Sequence, residues 1–505
     1  MKLLIANRGE IAVRIIRGCR EMGIGTVAVY SEVDRRAPHV LMADQAFPIG
    51  PAAASESYLS IDRLLEAAAR GGADLVHPGY GFLAENAGFA ERVEAAGLTW
   101  VGPPPDAIRL MGSKTESRKL AVETGVPLIP GMVEPLEDLA GLEAFVDEHG
   151  LPVLLKAVAG GGGKGMRAVR DRSELGAAFD RARSEGRAYF GDDRVYVEKL
   201  VERARHIEVQ VAADKHGNAV YVGERECSIQ RRHQKVVEEC PSPVVSPELR
   251  RRLGEAALAI VRGSGYHSVG TVEFLVGPDG SFYFLEMNTR LQVEHPVTEE
   301  VYGVDLVREQ INLALGRQLS WRQEDLVPRG HAIECRVYAE DPLRNFAPSP
   351  GRIDLLVRPG GPGVRIDSGV FQGSVVPLDY DPMVAKLVVH AADRPAAVAR
   401  LKRALEEYQI RGIATTLTLF RALVEMEAFV EADFDTAFLD QLLQSRQLED
   451  LHAQQDPEAE EAAMVAAACL ATLEAGSVSD DPFGHAAGSH WWGEGLRQQH
   501  GRFPR

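Results

Sequence analysis

The sequence predicts a protein of mixed α/β and α+β class with roughly three domains. Its 505 residues suffice for about three domains of roughly 150 residues each. Strand-like and helix-like segments alternate in the first region, whereas strands, hairpins and helices follow without strict alternation further on. Hydrophobic residues make up 45% and charged residues 26% of the chain, which excludes a disordered or collagen-like protein.

The first region has the pattern of a doubly wound parallel sheet. Its predicted elements, in order, are strand 2–6, helix 10–22, strand 26–30, helix 61–70, strand 74–77, helix 87–96 and strand 98–102. The prolines at 103–105 then break the alternation. Segment 77–82, HPGYGF, follows a strand at the edge where parallel sheets place ligands, although a tight turn that needs two glycines explains it equally.

Two further regions and a tail follow. The second opens with helical periodicity near Ala107 and continues through a glycine-rich loop into strands and hairpins, as far as about residue 330. The third has the pattern of a separate α+β lobe. Its predicted elements are strands 331–338 and 383–390 and helices 395–408 and 415–426. Beyond residue 449 the chain is acidic and Ala-rich, with one predicted helix at 456–475 and no assignable chemistry.

Charge and cysteine content narrow the function classes. The net charge of −17 argues against broad binding to nucleic acid or to an anionic membrane. The five cysteines are scattered and never spaced C-x-x-C, so we expect neither a disulfide framework nor a zinc site. No secretion signal and no apolar run of the ~18 residues of a membrane span is evident, so a cytoplasmic location is expected.

A glycine-rich loop runs from Lys156 to Lys164 between two strand-like segments. With little side-chain bulk, its backbone N–H groups could fold onto phosphate oxygens while the two lysines supply charge. It fits neither a Rossmann nor a Walker A motif, because it leads into a strand and Gly165 follows Lys164 where Walker A needs Ser or Thr. A flexible hinge is the alternative.

Segment 270–288 predicts a β-hairpin around a Gly-Pro-Asp-Gly turn. If Val276 pairs with Ser281, Glu273 and Glu286 share one face on the diagonal, and Asn288 continues the same parity. Two carboxylates and an amide oxygen suit one or two Mg²⁺ ions that bridge to phosphates. The alternative is a hairpin whose glutamates face solvent.

Two polar runs flank this hairpin in the sequence. Arg290, Gln292 and Glu294 alternate with apolar residues, and in extended chain they share one face that could bind a small planar oxyanion and accept its proton. An edge strand would look the same. The basic run 230–235 indicates either an exposed positive patch or an anion pocket.

These residues together resemble the biotin carboxylase family of the ATP-grasp group. The resemblance spans about residues 1–445. It rests on ANRGEIAVRIIR (6–17), HPGYGFLAEN (77–86), GGGGKGMR (160–167), ERECSIQRRHQKVVEE (224–239), EMNTRLQVEHPVTE (286–299) and ECRVYAEDP (334–342). Ala159 and Lys164 depart from the family pattern, where glycine and arginine are common.

The resemblance implies a Rossmann-like pre-ATP-grasp domain (1–113), an ATP-grasp domain (114–330) with a mobile lid (131–203), a C-terminal biotin carboxylase lobe (331–446) and a tail of unknown role (447–505). The implied ATP-binding residues are Lys114, Lys156, Gly162, Gly163, Glu198, Lys199, Val201, His206, Gln230, His233, Lys235, Glu273 and Glu286. Mg²⁺ or Mn²⁺ would bind Glu273, Glu286 and Asn288. Bicarbonate would bind Lys235, Arg290, Gln292 and the backbone of Val293.

The implied reaction is carboxylation of biotin by ATP and bicarbonate through carboxyphosphate. In it Glu294 is the base, Lys235 and Arg290 assist, and Arg336 binds biotin. Because no Met-Lys-Met biotinylation sequence occurs, biotin is expected on a separate carrier protein, with a carboxyltransferase as further partner and an acyl-CoA, foremost acetyl-CoA, as final acceptor. The family commonly forms homodimers. The alternatives are another ATP-grasp ligase that forms an acyl phosphate and a non-catalytic nucleotide-binding subunit.

Overall fold

A computed structural model describes residues 1–132, 135–157, 166–190, 193–232, 234–445 and Val465. Residues 1–448 form one compact unit. The predicted helix at 456–475 and almost all of the tail lie outside the described residues. Within the described residues, every helix is too short or too polar to cross a membrane.

The N-terminal region is the predicted doubly wound sheet. Its strands are β1 (Lys2–Ile5), β2 (Gly25–Ser31), β3 (Gln45–Gly50), β4 (Leu75–His77) and β5 (Thr99–Trp100), all parallel in the order β3-β2-β1-β4-β5. The helices between them are α1 (Gly9–Glu21), α2 (Pro38–Met42), α3 (Ile61–Gly71) and α4 (Ala87–Ala95). Strand β3 was not predicted. Its Pro48 interrupts the apolar pattern, and such a residue is tolerated because β3 is an edge strand.

The HPGYGF segment after β4 is a tight turn that requires glycine, and it also lies at the sheet edge where a ligand site was considered. Asn7 donates its side-chain amide to the carbonyls of Pro78 and Tyr80, both at 2.7 Å. Gly79 lies at φ +66°, and a Cβ there would stand 2.8 Å from the Asn7 side chain. The turn therefore requires glycine, and it carries the chain towards the polar cluster described below.

A small layer follows the linking helices α5 (Pro105–Gly112) and α6 (Lys114–Glu123). It consists of α7 (Leu139–His149), β6 (Val153–Ala157), β7 (Met166–Val169), α8 (Leu175–Phe190) and β8 (Val195–Lys199). The strands form their own antiparallel sheet in the order β7-β6-β8, packed on an apolar core from both helices. This layer lies within the segment predicted as the lid.

One eight-stranded sheet dominates the rest of the unit. Its first strands and their neighbouring helices are β9 (Arg205–Ala213), β10 (Ala219–Arg231), β11 (Gln234–Cys240), α9 (Pro247–Gly263), β12 (Ser268–Val276), β13 (Phe282–Asn288), α10 (His295–Tyr302) and α11 (Leu306–Ala314). It continues through β14 (His331–Tyr338), β19 (Val364–Ser368) and β21 (Met383–Ala391), in the order β13-β12-β9-β10-β11-β14-β21-β19.

The remaining elements form three short two-stranded ladders and a helical end. The ladders pair β15 (Glu340–Asp341) with β16 (Ala347–Pro348), β17 (Gly351–Arg352) with β20 (Val375–Val376), and β18 (Leu355–Val357) with β22 (Gln409–Arg411). The helices are α12 (Arg394–Glu407), α13 (Leu417–Leu423), α14 (Glu427–Val430) and α15 (Phe438–Gln444).

The long strands of the third region belong to the central sheet, and only the three short ladders are separate from it among the described residues. Strand β14 pairs antiparallel with β11, with Glu334 opposite Glu238, so the central sheet runs without interruption past residue 330. The prediction of a separate lobe therefore missed the shared sheet, because nothing in one strand's sequence records which strand it pairs with. The consequence is functional, since side chains from both regions point from one sheet face into one site.

Candidate active site

The predicted hairpin forms, but in a different register. Val276 pairs with Phe282 rather than Ser281, because Asp279 accepts hydrogen bonds from Ser281 and lengthens the loop. A bulge between Glu273 and Phe274 then shifts the ladder again, so that Glu273 lies directly opposite Glu286. The expected pairing of Val276 with Ser281 and the diagonal placement of the two carboxylates are therefore wrong, whereas Glu273 and Glu286 do share one face, as expected.

Strands β9 and β11 add a cation and further acids beside this hairpin. His206 Nε2 lies 2.7 Å from Glu273 Oε2. The ammonium of Lys235 contacts Glu273 and Glu294, each at 3.0 Å, and also forms an ion pair with Glu208. Lys235 is thus the centre of a buried cluster of three carboxylates.

The predicted extended strip 290–294 is wrong. Strand β13 ends at Asn288, and the chain turns until α10 begins at His295, with Glu294 at φ −80° and ψ 8°. Pro296 in the first turn favours a helix start there. We call residues 289–294 the polar turn. Its side chains still reach the site, although they leave an irregular turn instead of one strand face.

Each polar side chain of the polar turn has defined partners. The Arg290 guanidinium donates to Glu85 Oε2 at 3.0 Å and to Asn288 Oδ1 at 2.6 Å. Gln292 donates to Glu273 Oε1 at 2.8 Å. Glu85 also accepts the Thr289 backbone N–H at 3.0 Å. The N-terminal region therefore fixes Arg290 through Glu85.

Glu294 lies between two cations. Its Oε1 contacts Lys235 at 3.0 Å and its Oε2 contacts Arg336 at 2.9 Å. Arg336, on β14, also binds Glu238 of the neighbouring strand at 2.5 Å. Both residues are almost fully buried, with 1% exposure for Glu294 and 7% for Arg336. The two charge-assisted contacts, one on each oxygen, hold this carboxylate in one orientation.

The electrostatics of the cluster follow from burial and these pairs. Burial opposes ionisation of Glu294, but Lys235 and Arg336 outweigh it and hold its pKa well below the usual value. The three carboxylates likewise keep the pKa of Lys235 well above its ordinary range despite burial. Burial raises the pKa of Glu208 to about 7, against the opposing effect of Lys235. Glu294 is therefore an anion throughout the neutral range.

The hairpin carboxylates fit a divalent cation. Glu286 keeps part of its surface exposed and makes no hydrogen bond or ion pair with the described residues. Partial desolvation of its carboxylate, together with repulsion from Glu273, raises its pKa. Two facing carboxylates are the hard oxygen donors that Mg²⁺ prefers. Asn288 is adjacent, but its amide donates to Glu273 at 2.6 Å and its oxygen accepts from Arg290. It would have to rotate to act as a third ligand.

Only some of the residues predicted to bind ATP lie close to one another in the structure. Lys156 and Glu198 form an ion pair on the β7-β6-β8 sheet, and Gln230 lies opposite Lys235 in the β10–β11 register. Lys199 instead donates to the Leu151 carbonyl at 2.8 Å. Lys114 is exposed at the start of α6, and Val201 packs beside Gly277 of the hairpin turn. Gly162, Gly163 and His233 lie outside the described residues.

Several residues of the cluster were missed from the sequence. On β9, His206, Glu208 and Gln210 alternate with apolar residues, and this alternation was the available signal for Glu208. Arg225 is fully buried and donates to the side chains of Gln210 and Gln292. A lone arginine among glutamates on a strand carries no local signature of this role. Glu85 was inside a quoted motif, but its contact with Arg290 spans 205 residues of sequence.

Three family models match successive parts of the chain. Residues 1–108 match the biotin carboxylase N-terminal domain, residues 113–322 the carbamoyl-phosphate synthase L chain ATP-binding domain, and residues 334–441 the biotin carboxylase C-terminal domain. The fold class expected from the sequence is confirmed by these matches and by the solved structures that resemble the chain.

Similar proteins share about half of the sequence. One of the pyruvate carboxylase subunits of Methanothermobacter thermautotrophicus is 52% identical over 87% of this chain and 89% of its own length. Biotin carboxylase 1 of Bacillus subtilis is 51% identical over 87% of this chain and 98% of its own.

A solved structure shows the same likeness in three dimensions. The biotin carboxylase domain dimer of Hydrogenobacter thermophilus 2-oxoglutarate carboxylase, in complex with MgADP, ADP and bicarbonate, has a TM-score of 0.78. It is 45% identical and covers 87% of this chain and 97% of its own. The ligands of that protein agree with the ATP, magnesium and bicarbonate expected from the sequence. The chain therefore belongs to the biotin carboxylase family of ATP-grasp ligases.

Proposed function

We propose that this chain carboxylates biotin carried on a separate carrier protein, with ATP as phosphoryl donor and carboxyphosphate as intermediate. The observation that supports this most is the buried Glu294 carboxylate between Lys235 and Arg336. A base flanked by two cations suits an anionic substrate that must lose a proton. A purely nucleotide-binding protein would have no use for such an arrangement.

In the first proposed step, bicarbonate binds between Lys235, Arg290, Gln292 and the backbone of Val293. Glu294 removes its proton, and the freed oxygen attacks the γ-phosphorus of ATP while the bond to the β-phosphate oxygen breaks. Lys235 offsets the charge of bicarbonate and phosphate in a site with little water, where such interactions are strong. ADP and carboxyphosphate result.

In the second proposed step, the C–O bond of carboxyphosphate breaks to give CO₂ and phosphate. The phosphate takes the proton of the biotin ureido nitrogen, which then forms the new N–C bond to CO₂. Arg336 would stabilise the ureido oxygen as it gains negative charge. The reactive intermediates require exclusion of water, which we assign to closure of the lid (131–203).

The further assignments are also proposals. ATP would bind between lid and sheet at the residues named from the sequence, and bound magnesium would neutralise phosphate charge at Glu273 and Glu286. We propose domain limits of 1–113, 114–330 and 331–446, a homodimer, and a carrier protein and carboxyltransferase as partners. The names of similar proteins include pyruvate and 2-oxoglutarate carboxylases. We propose acetyl-CoA as the final acceptor of the carboxyl group. Pyruvate and 2-oxoglutarate are the alternative acceptors to test beside it.

The test of the overall reaction follows ADP and carboxybiotin together, with ATP, Mg²⁺, bicarbonate and free biotin. We expect carboxybiotin to form in step with ADP. ADP formation that needs bicarbonate but never yields carboxybiotin would instead indicate another ATP-grasp ligase. A purified chain that forms no ADP would favour a non-catalytic role.

The Glu286→Gln variant tests the cation site. Loss of one of two facing anionic ligands should weaken Mn²⁺ binding in the presence of ADP by about tenfold or more. Electron paramagnetic resonance of free Mn²⁺ measures this directly. Asp279→Asn, in the exposed turn of the same hairpin, is the matched control and should bind as wild type. Equal affinity in both variants would exclude Glu286 as a ligand.

A further inference from the structure

A fully buried lysine lies next to the active site and has no part in the proposed chemistry. Lys386 is on β21, with 0% exposure. It pairs directly with Arg336 on one side and with Asp367 on the other, so all three side chains project from the same sheet face. A buried ammonium is costly unless its charge is balanced and its protons are bound. This lysine therefore needs a specific explanation.

The Lys386 ammonium forms a hydrogen bond with the backbone of the polar turn (289–294). Its Nζ donates to the Val293 carbonyl oxygen at 2.6 Å. It also lies 3.1 Å from Glu10 Oε1, a carboxylate of helix α1 that accepts a hydrogen bond from the Tyr80 hydroxyl. Burial lowers the pKa of Lys386, but the nearby acids, Glu10 foremost, outweigh this effect and raise it, so the lysine stays charged.

The other two acids near Lys386, Asp367 and Glu334, do not replace Glu10 as its counter-ion. Asp367 already forms an ion pair with Arg365 at 2.9 Å. Glu334 has no hydrogen-bond partner among the described residues for either buried oxygen, and burial raises its pKa well above the usual value, which favours the neutral acid. Lys386 and Glu10 thus form a buried ion pair, and through the hydrogen bond of Lys386 this pair connects helix α1 to the polar turn.

The contact bears on bicarbonate through the geometry of the turn. Gln292 and Glu294 are held by their side chains, and the Gln292 carbonyl lies 2.7 Å from His295 Nδ1. Val293, between them, offers only backbone to the site. Its carbonyl is fixed by Lys386, and this fixes the peptide between the proposed base and the proposed bicarbonate ligand.

We propose that Lys386, with Glu10 as its counter-ion, is a positioning residue for bicarbonate. In this role Lys386 does not contact bicarbonate itself, and it acts through the backbone of the polar turn. This inference rests on the proposed function. A charge-assisted hydrogen bond of this kind contributes enough for its loss to change an affinity by about tenfold or more. The expected signature is a raised KM for bicarbonate with little change in KM for ATP.

The experiment compares Lys386→Met with the double variant Lys386→Met/Glu10→Gln. The single variant leaves Glu10 buried without its cation and should lose stability as well as bicarbonate affinity. The double variant removes both charges, and the amide oxygen of the new glutamine can still accept from Tyr80, so its Tm should return close to wild type. Its KM for bicarbonate, measured by ADP release, should stay raised by about tenfold or more. KM for ATP should change by less than about twofold.

Three results would overturn this inference. A double variant with wild-type KM for bicarbonate would show that Lys386 only balances the charge of Glu10. A double variant that regains its Tm but has equally raised KM values for bicarbonate and ATP would show a general distortion. A wild-type chain without bicarbonate-dependent ADP formation would refute the proposed function itself, and the positioning role with it.

Discussion

Replacement of Glu294 by glutamine is expected to lower kcat for bicarbonate-dependent ADP formation by about 10²- to 10⁴-fold, the usual contribution of a general base. Glutamine keeps the shape, but its single amide oxygen can accept from only one of Lys235 and Arg336, which contact separate oxygens of the carboxylate at 3.0 and 2.9 Å. It cannot take a proton. Because it also removes a negative charge, KM for bicarbonate should be unchanged or lower. Initial rates over a bicarbonate series separate the two constants.

The matched control is Glu238→Gln, which removes the same charge from the other carboxylate partner of Arg336. If Glu294 is the base, this variant should keep a kcat within about tenfold of wild type, since no proton transfer is lost. Nucleotide affinity should be close to normal in both variants. Equal losses of kcat in the two would mean that the charge balance around Arg336, and not proton transfer, carries the effect.

Replacement of Arg336 by methionine is expected to abolish carboxybiotin formation while ATP still binds. The guanidinium would stabilise charge on the ureido oxygen, and loss of one such donor costs about 10²- to 10³-fold. The change also leaves Glu238 buried without its cation and Glu294 with Lys235 alone, at a cost of about 3–5 kcal/mol of unfolding free energy. Carboxybiotin formation, ADP binding and thermal unfolding are measured together.

The double variant Arg336→Met/Glu238→Gln separates these effects. Removing one stranded charge should restore part of the stability, whereas carboxybiotin formation should remain lost. A stable double variant that carboxylates biotin at the wild-type rate would contradict the role of Arg336. A variant that no longer binds ADP would show that the substitution has disturbed more than the biotin site.

Local patterns were sufficient to predict the elements with the clearest periodicity, whereas strands such as β3, β9 and β10 were not predicted. The 331–338 strand matches β14 at both ends, and helix α1 begins one residue before its predicted start. The shared eight-stranded sheet was not predictable in this way. The pairing of β11 with β14 joins residues almost a hundred positions apart in the sequence. Alternation of polar and apolar residues within one strand does not indicate which other strand it pairs with.

The candidate site shows the same division. Parity along one hairpin was enough to bring Glu273 and Glu286 together, although the bulge that sets their register has no sequence signal. The same reasoning failed for 290–294, because alternation persists in the sequence where the backbone leaves the strand. Glu85 and Lys386 were not foreseen, since each acts through a contact made only by the folded chain.

We propose that this site transfers a phosphoryl group to bicarbonate before it carboxylates biotin. The most direct measurement uses ¹⁸O-labelled bicarbonate with ATP, Mg²⁺ and biotin, and follows the label by mass spectrometry. Attack through carboxyphosphate should leave one bicarbonate oxygen in the phosphate released and two in carboxybiotin. Release of ADP and unlabelled phosphate alongside carboxybiotin would contradict the account, because no bond between bicarbonate and phosphorus would have formed.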